Sequence, residues 1–386
     1  MRFIYFADVR VAYFRRVLAG VARFARADGN LTLRIAQDIS APALRTIDGA
    51  GYDGLILGTF TEEPDEIARL RTPAITVSSA YPNVTLTQVV SDNGEVGRLV
   101  ARHLLSRGFS HFAFWDNQTA FAQQRWSGFA AEIIGARGQE GAPLRITDDD
   151  RPLLRWLERL PRPLGLMTAN DAMGADVIDA CHNLKLRVPQ DIAVVGVDDD
   201  DLYSDLANPP MSSVIQQTER IGYLAAEQLM CLVRGEKVPA MTQVPPGPLV
   251  VRQSSDAIAT SDPVVAQAVA YMEQHLAERT NIGELSRALA VPRRALETRF
   301  KAALGRSPGQ TLSRLKIERA QALLATTTLP LKQIASATGF GTPVRMSQAF
   351  RHYTGQTPMG YRRGFIPPMK DTGGARNRNG SKNAED

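Results

Sequence analysis

Residues 293–309, RRALETRFKAALGRSPG, and residues 343–359, PVRMSQAFRHYTGQTPM, are two copies of one pattern set 50 positions apart. Phe300-Lys301 aligns with Phe350-Arg351, Leu296 with Met346, Gly305 with Gly355, Ser307 with Thr357 and Pro308 with Pro358. Leu296 and Phe300, like Met346 and Phe350, are spaced i,i+4, which places each pair on one face of a helix. A shorter amphipathic segment precedes each copy, with Ile282, Leu285 and Leu289 ahead of the first and Leu331, Ile334 and Ala335 ahead of the second. Val291-Pro292 turn the chain in the first copy and Gly339 permits the turn in the second. A duplicated helix-turn-helix accounts for this layout. A helical bundle with basic solvent faces is the alternative.

The outward faces of the second helix in each copy carry Arg293, Arg294, Glu297 and Thr298, then Pro343, Val344, Ser347 and Gln348. A major groove admits one helix, and side chains in its N-terminal half reach base edges. Arg pairs with guanine and Gln with adenine, while flanking Lys and Arg, Arg351 among them, neutralise phosphates. Gln310–Ala325 reads as a connecting helix about 24 Å long, able to hold two reading helices about one duplex turn (~34 Å) apart. Charge supports a polyanion partner: residues 254–386 hold 19 Lys and Arg against 10 Asp and Glu, net +9, whereas residues 1–253 hold 26 against 30, net −4.

Residues 1–253 read differently. Short apolar runs at Arg2–Ala7, Gly54–Leu57, Ala74–Val77, Phe112–Trp115, Leu164–Thr168 and Ile192–Val197 alternate with amphipathic stretches such as Phe14–Ala27, Glu95–Arg107 and Ala172–Leu184. Buried strands alternating with helices indicate parallel sheets covered on both faces. Their number over this length predicts two sheets, hence two lobes. Pro-rich residues 239–248 are expected as a terminal strand or loop, Gln253–Pro263 as a polar linker, and residues 364–386 as a disordered tail. The expected domains are therefore 1–253, a linker over 254–263, and an all-α domain over 264–363.

Several function classes fall away. The chain of 386 residues has no apolar run of 18 or more, which excludes a membrane-spanning helix. Asp8, Arg10, Arg15 and Arg16 interrupt the N-terminus, so a secretory leader is not expected. Cys181 and Cys231 stand far apart, as in a reducing cytoplasm, and exclude a Cys-rich zinc module. Residues 305–309 (GRSPG) fit the hydrolase G-x-S-x-G pattern, but they join two helices where that elbow needs a strand. There is no phosphate-binding G-x-x-x-x-G-K-[ST] loop and no HExxH. Asp148–Asp150 read as a solvated loop. No enzyme activity, cofactor or metal is expected.

The C-terminal hundred residues resemble the AraC/XylS-type DNA-binding domain. The resemblance rests on LETRFKAALGRSPGQTL, RLKIERAQALLATTTLPLKQIASATGF and MSQAFRHYTGQTPMGYRR. It implies Arg294, Glu297 and Thr298 in the first copy, and Pro343, Val344, Ser347 and Gln348 in the second, as base readers. The family usually has an aromatic near the start of the second reading helix, where this chain has Arg345-Met346. With Thr298 and Pro343 as weak hydrogen-bonding choices, looser reading through phosphates and shape is implied for the second copy.

Residues 1–253 resemble the sugar-binding domain of LacI-type repressors and periplasmic sugar-binding proteins. The matching stretches, in order, are YDGLIL, VVSDNGEVGRLVARHLLSRGF, RWSGF, TANDAMGADVIDAC, VPQDIAVVGVDDD and SSVIQQTERIGYLAAEQL. LacI-type chains carry their DNA reader first and this one carries it last, a combination similar to the xylose-operon regulators. The resemblance implies a sugar site between the lobes, with Arg125, Asn170, Asp198 and Gln216 as polar ligands and Tyr13 and Phe14 as aromatic contacts. Trp115, at a strand end, is a further stacking candidate. Alternatives stay open: a helix-end surface charge for Arg125, a helix cap for Asn170, core packing for Tyr13 and Phe14, and a metal cluster at Asp198–Asp201. Asp171 is assigned to the cap. The implied protein is a cytoplasmic, dimeric, sugar-responsive transcription regulator. Its expected partners are operator DNA, a sugar effector such as xylose and, as a candidate, RNA polymerase, with no membrane partner.

Overall fold

The computed structural model describes residues 1–59, 67–81, 83–147, 153–260, 262–278 and 280–365. Asp148–Asp150 and all but the first two residues of the expected tail lie outside the described residues.

Two six-stranded sheets form the larger part. The first, in order β11-β5-β4-β3-β1-β2, contains β1 (Arg2–Phe6), β2 (Thr32–Ile35), β3 (Gly54–Leu57), β4 (Ala74–Thr76), β5 (Thr87–Ser91) and β11 (Met241–Val244), all pairing parallel. The second, in order β12-β10-β9-β8-β6-β7, contains β6 (His111–Asp116), β7 (Leu144–Thr147), β8 (Leu164–Thr168), β9 (Ile192–Val197), β10 (Ser212–Val214) and β12 (Leu249–Val250). Only β10 and β12 pair antiparallel in that sheet. The central strands β3, β8 and β9 are buried along their whole length, as strands covered on both faces must be.

Helices α1 (Ala12–Asp28) and α2 (Ala41–Asp48) follow the first strands of the first lobe. Helices α3 (Asn93–Ser106), α4 (Ala120–Arg137), α5 (Leu153–Arg159), α6 (Asp171–Asn183) and the short α7 (Asp201–Ser204) belong to the second. The chain crosses between lobes three times. It passes from β5 into α3, returns through Gln216-Gln217 into α8 (Thr218–Val233), which packs on α1, and leaves again through Pro245–Pro248 between β11 and β12.

The sequence reading found the strands that are continuous apolar runs. It missed β2, β5, β7, β10 and β12, and left β11 open as a terminal strand or loop. These are edge strands, or strands rich in Thr, Ser and Gln such as TQVVS and SSV, whose burial comes from the neighbours they join. The expected linker also needs correction at its start. Ser254 and Ser255 are fully buried in the second lobe: the Ser254 hydroxyl donates to Val194 O at 2.6 Å, and Ser255 Oγ lies 2.8 Å from Ser212 Oγ. Two hydroxyls that satisfy buried partners look the same in sequence as two in a solvated turn.

From Pro263 onward the described residues are helical: α9 (Pro263–Gln274), α10 (Ile282–Ala288), α11 (Arg293–Leu304), α12 (Pro308–Thr326), α13 (Leu331–Ala337), α14 (Pro343–Thr354) and α15 (Pro358–Phe365). Helix α12 runs three residues longer than the sequence-based span and belongs to both cores. Leu312 and Leu315 pack with Leu296 and Phe300, whereas Ile317, Ala320 and Leu324 pack with Met346 and Phe350. The four repeated anchors are fully buried. Gly305 and Gly355 close α11 and α14 in the left-handed conformation, at φ 69° and 72°. Ser307 forms a capping box with Gln310 at the start of α12.

Candidate functional sites

The six residues singled out for a sugar, Tyr13, Phe14, Arg125, Asn170, Asp198 and Gln216, all line one cavity of about 140 Å³ between the lobes. Tyr13 and Phe14 come from the first turn of α1, Arg125 from the inner face of α4, Asn170 from the end of β8, Asp198 from the end of β9, and Gln216 from a crossing segment. Parallel strands deliver such residues at their carboxyl ends, where the loops face the opposite lobe.

Arg125 is 3% exposed and is oriented from three sides. Its Nε donates to Asn93 Oδ1 at 2.9 Å, its Nη1 donates to the Ala169 carbonyl, and its guanidinium carbon stands 4.9 Å from the Phe121 ring centre. This is no surface charge. Burial pushes the Asp198 carboxyl up, and Arg125's positive charge and a hydrogen bond from Gln216 Nε2 hold it down. Burial likewise lowers Arg125, and the Asp198 charge opposes that. Gln216 Oε1 is buried without a hydrogen-bond partner in the protein, an acceptor set beside the cavity. Tyr13 donates to Val77 O at 3.1 Å, and its ring meets Phe14 edge to face at 5.2 Å. Burial raises the Tyr13 phenol to about 12, so it is a neutral donor.

Asn170 is both cap and cavity residue. Its Oδ1 accepts from Met173 N at 3.0 Å, capping α6, while the residue lines the cavity. Asp171 is therefore not the cap. It lies buried inside the second lobe, accepting from Ser213 Oγ at 2.6 Å and from Asp200 N at 2.8 Å, and so fixes the loop that carries Asp198. Burial, then the Asp198 charge, raises its carboxyl to about 7. Trp115 lies 3% exposed in the core beneath the second sheet and does not reach the cavity. Its side chain leaves β6 on the opposite face, a two-residue periodicity that a strand-end argument overlooks. Among the described residues, no group of acidic, His or Cys side chains is placed to hold a metal.

Sequence reasoning missed Ser78, Ser79, Ser91, Asn93 and Phe121, which also line the cavity. Ser78-Ser79 follow a buried parallel strand, the position that marked Asn170 and Asp198, and the same rule would have found them. Arg16 is a further residue at the lobe junction. From α1 it donates to Asp198 O at 2.7 Å, Asp199 O at 2.8 Å and Asp201 Oδ1 at 2.9 Å, tying the lobes together beside the cavity.

The second candidate site is a surface. Arg293, Arg294 and Thr298 are exposed and Glu297 half-buried on one face of α11. On α14, Val344, Gln348 and Arg351 are exposed and Ser347 and Pro343 half-buried. Arg293 Nε pairs with Glu297 Oε1 at 2.9 Å, and the Thr298 hydroxyl donates to Arg294 O at 3.0 Å. Arg294 is thus the residue of that first turn left to reach outward. Val344 is 66% exposed, an apolar side chain on a helix that offers it no core.

A larger cavity, about 580 Å³, separates α3 from the helical domain. Its charges pair among themselves, Arg102 with Glu95 and Arg314 Nε with Glu318 Oε1 at 2.9 Å.

Comparison with known proteins supports this division. Residues 101–255 match the periplasmic binding protein-like domain, and residues 285–364 match a helix-turn-helix domain. The chain is 27% identical over 370 residues to a xylose operon regulatory protein of Haemophilus influenzae, covering 91% of this chain and 95% of that one. It is 27% identical over 376 residues to the protein of that name in Escherichia coli K12, covering 91% and 94%. A solved structure of a xylose-binding transcription activator matches with a TM-score of 0.58 at 24% identity, over 94% of this chain and 97% of that one, and supports the fold.

Proposed function

As a transcription regulator that joins a periplasmic-binding-protein-like domain to a C-terminal helix-turn-helix domain, this chain, we propose, switches sugar catabolism genes in response to xylose. Residues 1–253 act as the sensor and residues 264–363 as the reader. The observation that carries the reading is the convergence of Arg125, Asp198, Asn170 and Gln216 with the rings of Tyr13, Phe14 and Phe121 on one small cavity between lobes. Charged and amide groups match adjacent hydroxyls in pairs, and rings cover the C–H faces of a sugar. The cavity suits a single ring, and the relatives named for the xylose operon favour a pentose.

Sugar binding favours the closed lobes by its differential affinity for that state. The reader acts in the cytoplasm as part of a homodimer on paired operator sites, activating transcription through RNA polymerase. Arg293, Arg294, Glu297 and Thr298, with Val344, Ser347, Gln348 and Arg351, face the duplex. No helix among the described residues is long and apolar enough to cross a membrane.

Calorimetry of the full chain with a panel of monosaccharides tests the sensor, and a gel shift on the gene's own upstream region with and without xylose tests the switch. Saturable heat with xylose and a shifted operator affinity are expected. Heat with another sugar alone reassigns the operon, and none with any monosaccharide ends the sensor reading.

A further inference from the structure

Helix α3 touches the sugar cavity at one end and the helical domain at the other. Its first residue, Asn93, lines the sugar cavity and receives the Arg125 guanidinium. Its last two turns are where the reader is held. Arg314 Nη2, on α12, donates to Arg102 O at 3.0 Å, and Arg306 Nη2, just before α12, donates to Ser106 O. Ser106 O, in the last turn, lacks an intrahelical partner, and Arg102 O lies one turn before it at the negative end of the helix dipole, so both suit guanidinium groups. Arg107, one residue on, is 4% exposed and pairs with Asp256 Oδ1 at 3.0 Å and with Glu273 on α9.

The rod is stiff. Helices α3 and α4 pack backbone to backbone: a Cβ at Gly97 would overlap the Arg125 carbonyl, and one at Gly128 would overlap the Gly94 carbonyl. Since α4 carries Arg125 and that guanidinium bonds Asn93 at the start of α3, a ligand at Arg125 meets both helices at once. The 580 Å³ cavity beside this joint means the reader is not packed solidly against the sensor, and its orientation depends on few contacts.

We propose that Arg306 and Arg314 are positioning residues that couple the sugar cavity to the reader through the α3–α4 pair. The proposal rests on the reading of the cavity as a sugar site and of the helical domain as a DNA reader. Neither arginine touches the cavity or stands on the DNA-reading faces of α11 and α14, so both binding events survive their removal while the link between them does not. Coupling is reciprocal: what xylose does to operator affinity, operator must do to xylose affinity, by the same factor.

The test uses the full chain and its R306A/R314A double variant. Xylose affinity is measured by calorimetry, and operator affinity by fluorescence anisotropy with and without xylose. The unaltered chain should show an operator affinity ratio of about fivefold or more on adding xylose, the lower end of ordinary allosteric coupling. The double variant should bind xylose within about twofold of the unaltered chain while its ratio falls to about one. A double variant that keeps the full ratio overturns the proposal. If the double variant loses xylose binding altogether, Arg314→Ala and Arg314→Lys decide instead. Lys keeps one donor for Arg102 O, so it should retain more of the ratio than Ala, and equal ratios in the two overturn the proposal. An unaltered chain that shows no ratio, a result distinct from any variant effect, fails the functional reading itself.

Discussion

The sugar cavity and the DNA-reading face are built on opposite principles. In the cavity Arg125 is held by Asn93 and Ala169, Asn170 by Met173 and Asp198 by Gln216 before any ligand arrives, with Gln216 Oε1 the buried acceptor left over. On α11 and α14 the candidate readers stand in solvent, tied only to their own helix where they are tied at all. Buried polar groups must be satisfied in place, because an unpaired one costs the full desolvation penalty. Exposed ones are satisfied by water until phosphates and bases replace it. The cavity should therefore break sharply when one member is removed, and the reading face should weaken in steps.

The largest expected effect follows from that contrast. Arg125→Ala removes the larger of the two positive charges, Arg125 and Arg16, that hold the Asp198 carboxyl down against burial. Removing a buried guanidinium that also bonds Asn93 and Ala169 leaves those acceptors without their donor, at a cost of about 1–3 kcal/mol each. Calorimetry should show xylose heat lost, with urea unfolding shifted to lower midpoint. Retained xylose affinity would mean the cavity is not the sugar site.

The same burial makes the second lobe sensitive to pH. The Asp171 carboxyl stands at about 7 in the folded chain, above its ordinary 3.8. The folded state keeps a proton that the unfolded chain releases, so the contribution is full below 3.8 and is lost as pH rises through 7. Asp171→Asn cannot titrate. Between about pH 5 and about pH 8 the unaltered chain should lose stability relative to this variant in urea titrations, and a constant difference would contradict the assignment.

Legibility followed the same division. Uninterrupted apolar strands such as GLIL, LGLMT and IAVVGV announced the sheets because burial on both faces leaves no polar positions. The repeat announced the reader because its inward residues, Leu296 and Met346, Phe300 and Phe350, answer to one packing geometry. What the sequence hid was pairing across distance. Ser254-Ser255 read as a linker because their partners, Val194 and Ser212, lie on distant strands. The cap falls to Asn170, which also lines the cavity, and not to Asp171, because capping depends on which of two neighbours starts the helix, which the residue types leave open. Trp115 was misplaced by one step of strand alternation.

On the reading face the effects are smaller and separable. Arg294→Ala should weaken operator binding by about 1–3 kcal/mol and relax preference at one base position, the signature of lost contact to a base edge. Selection of binding sequences with the variant checks it, and an unchanged sequence preference would place base reading on another residue of α11.

The smallest effect separates positioning from reading within that face. Arg351 lies in the third turn of α14, past the N-terminal half that enters the groove, and is exposed. A cation there meets phosphate, and each phosphate neutralised releases counterions from the duplex. Arg351→Ala should therefore reduce affinity about equally for every sequence and lower the slope of log affinity against log salt by about 1. Titrations at several salt concentrations, on operator and on unrelated DNA, measure both quantities. An unchanged slope with altered base preference would move Arg351 from the phosphates to the base edges and turn α14 further into the groove than its exposed Val344 and Gln348 indicate.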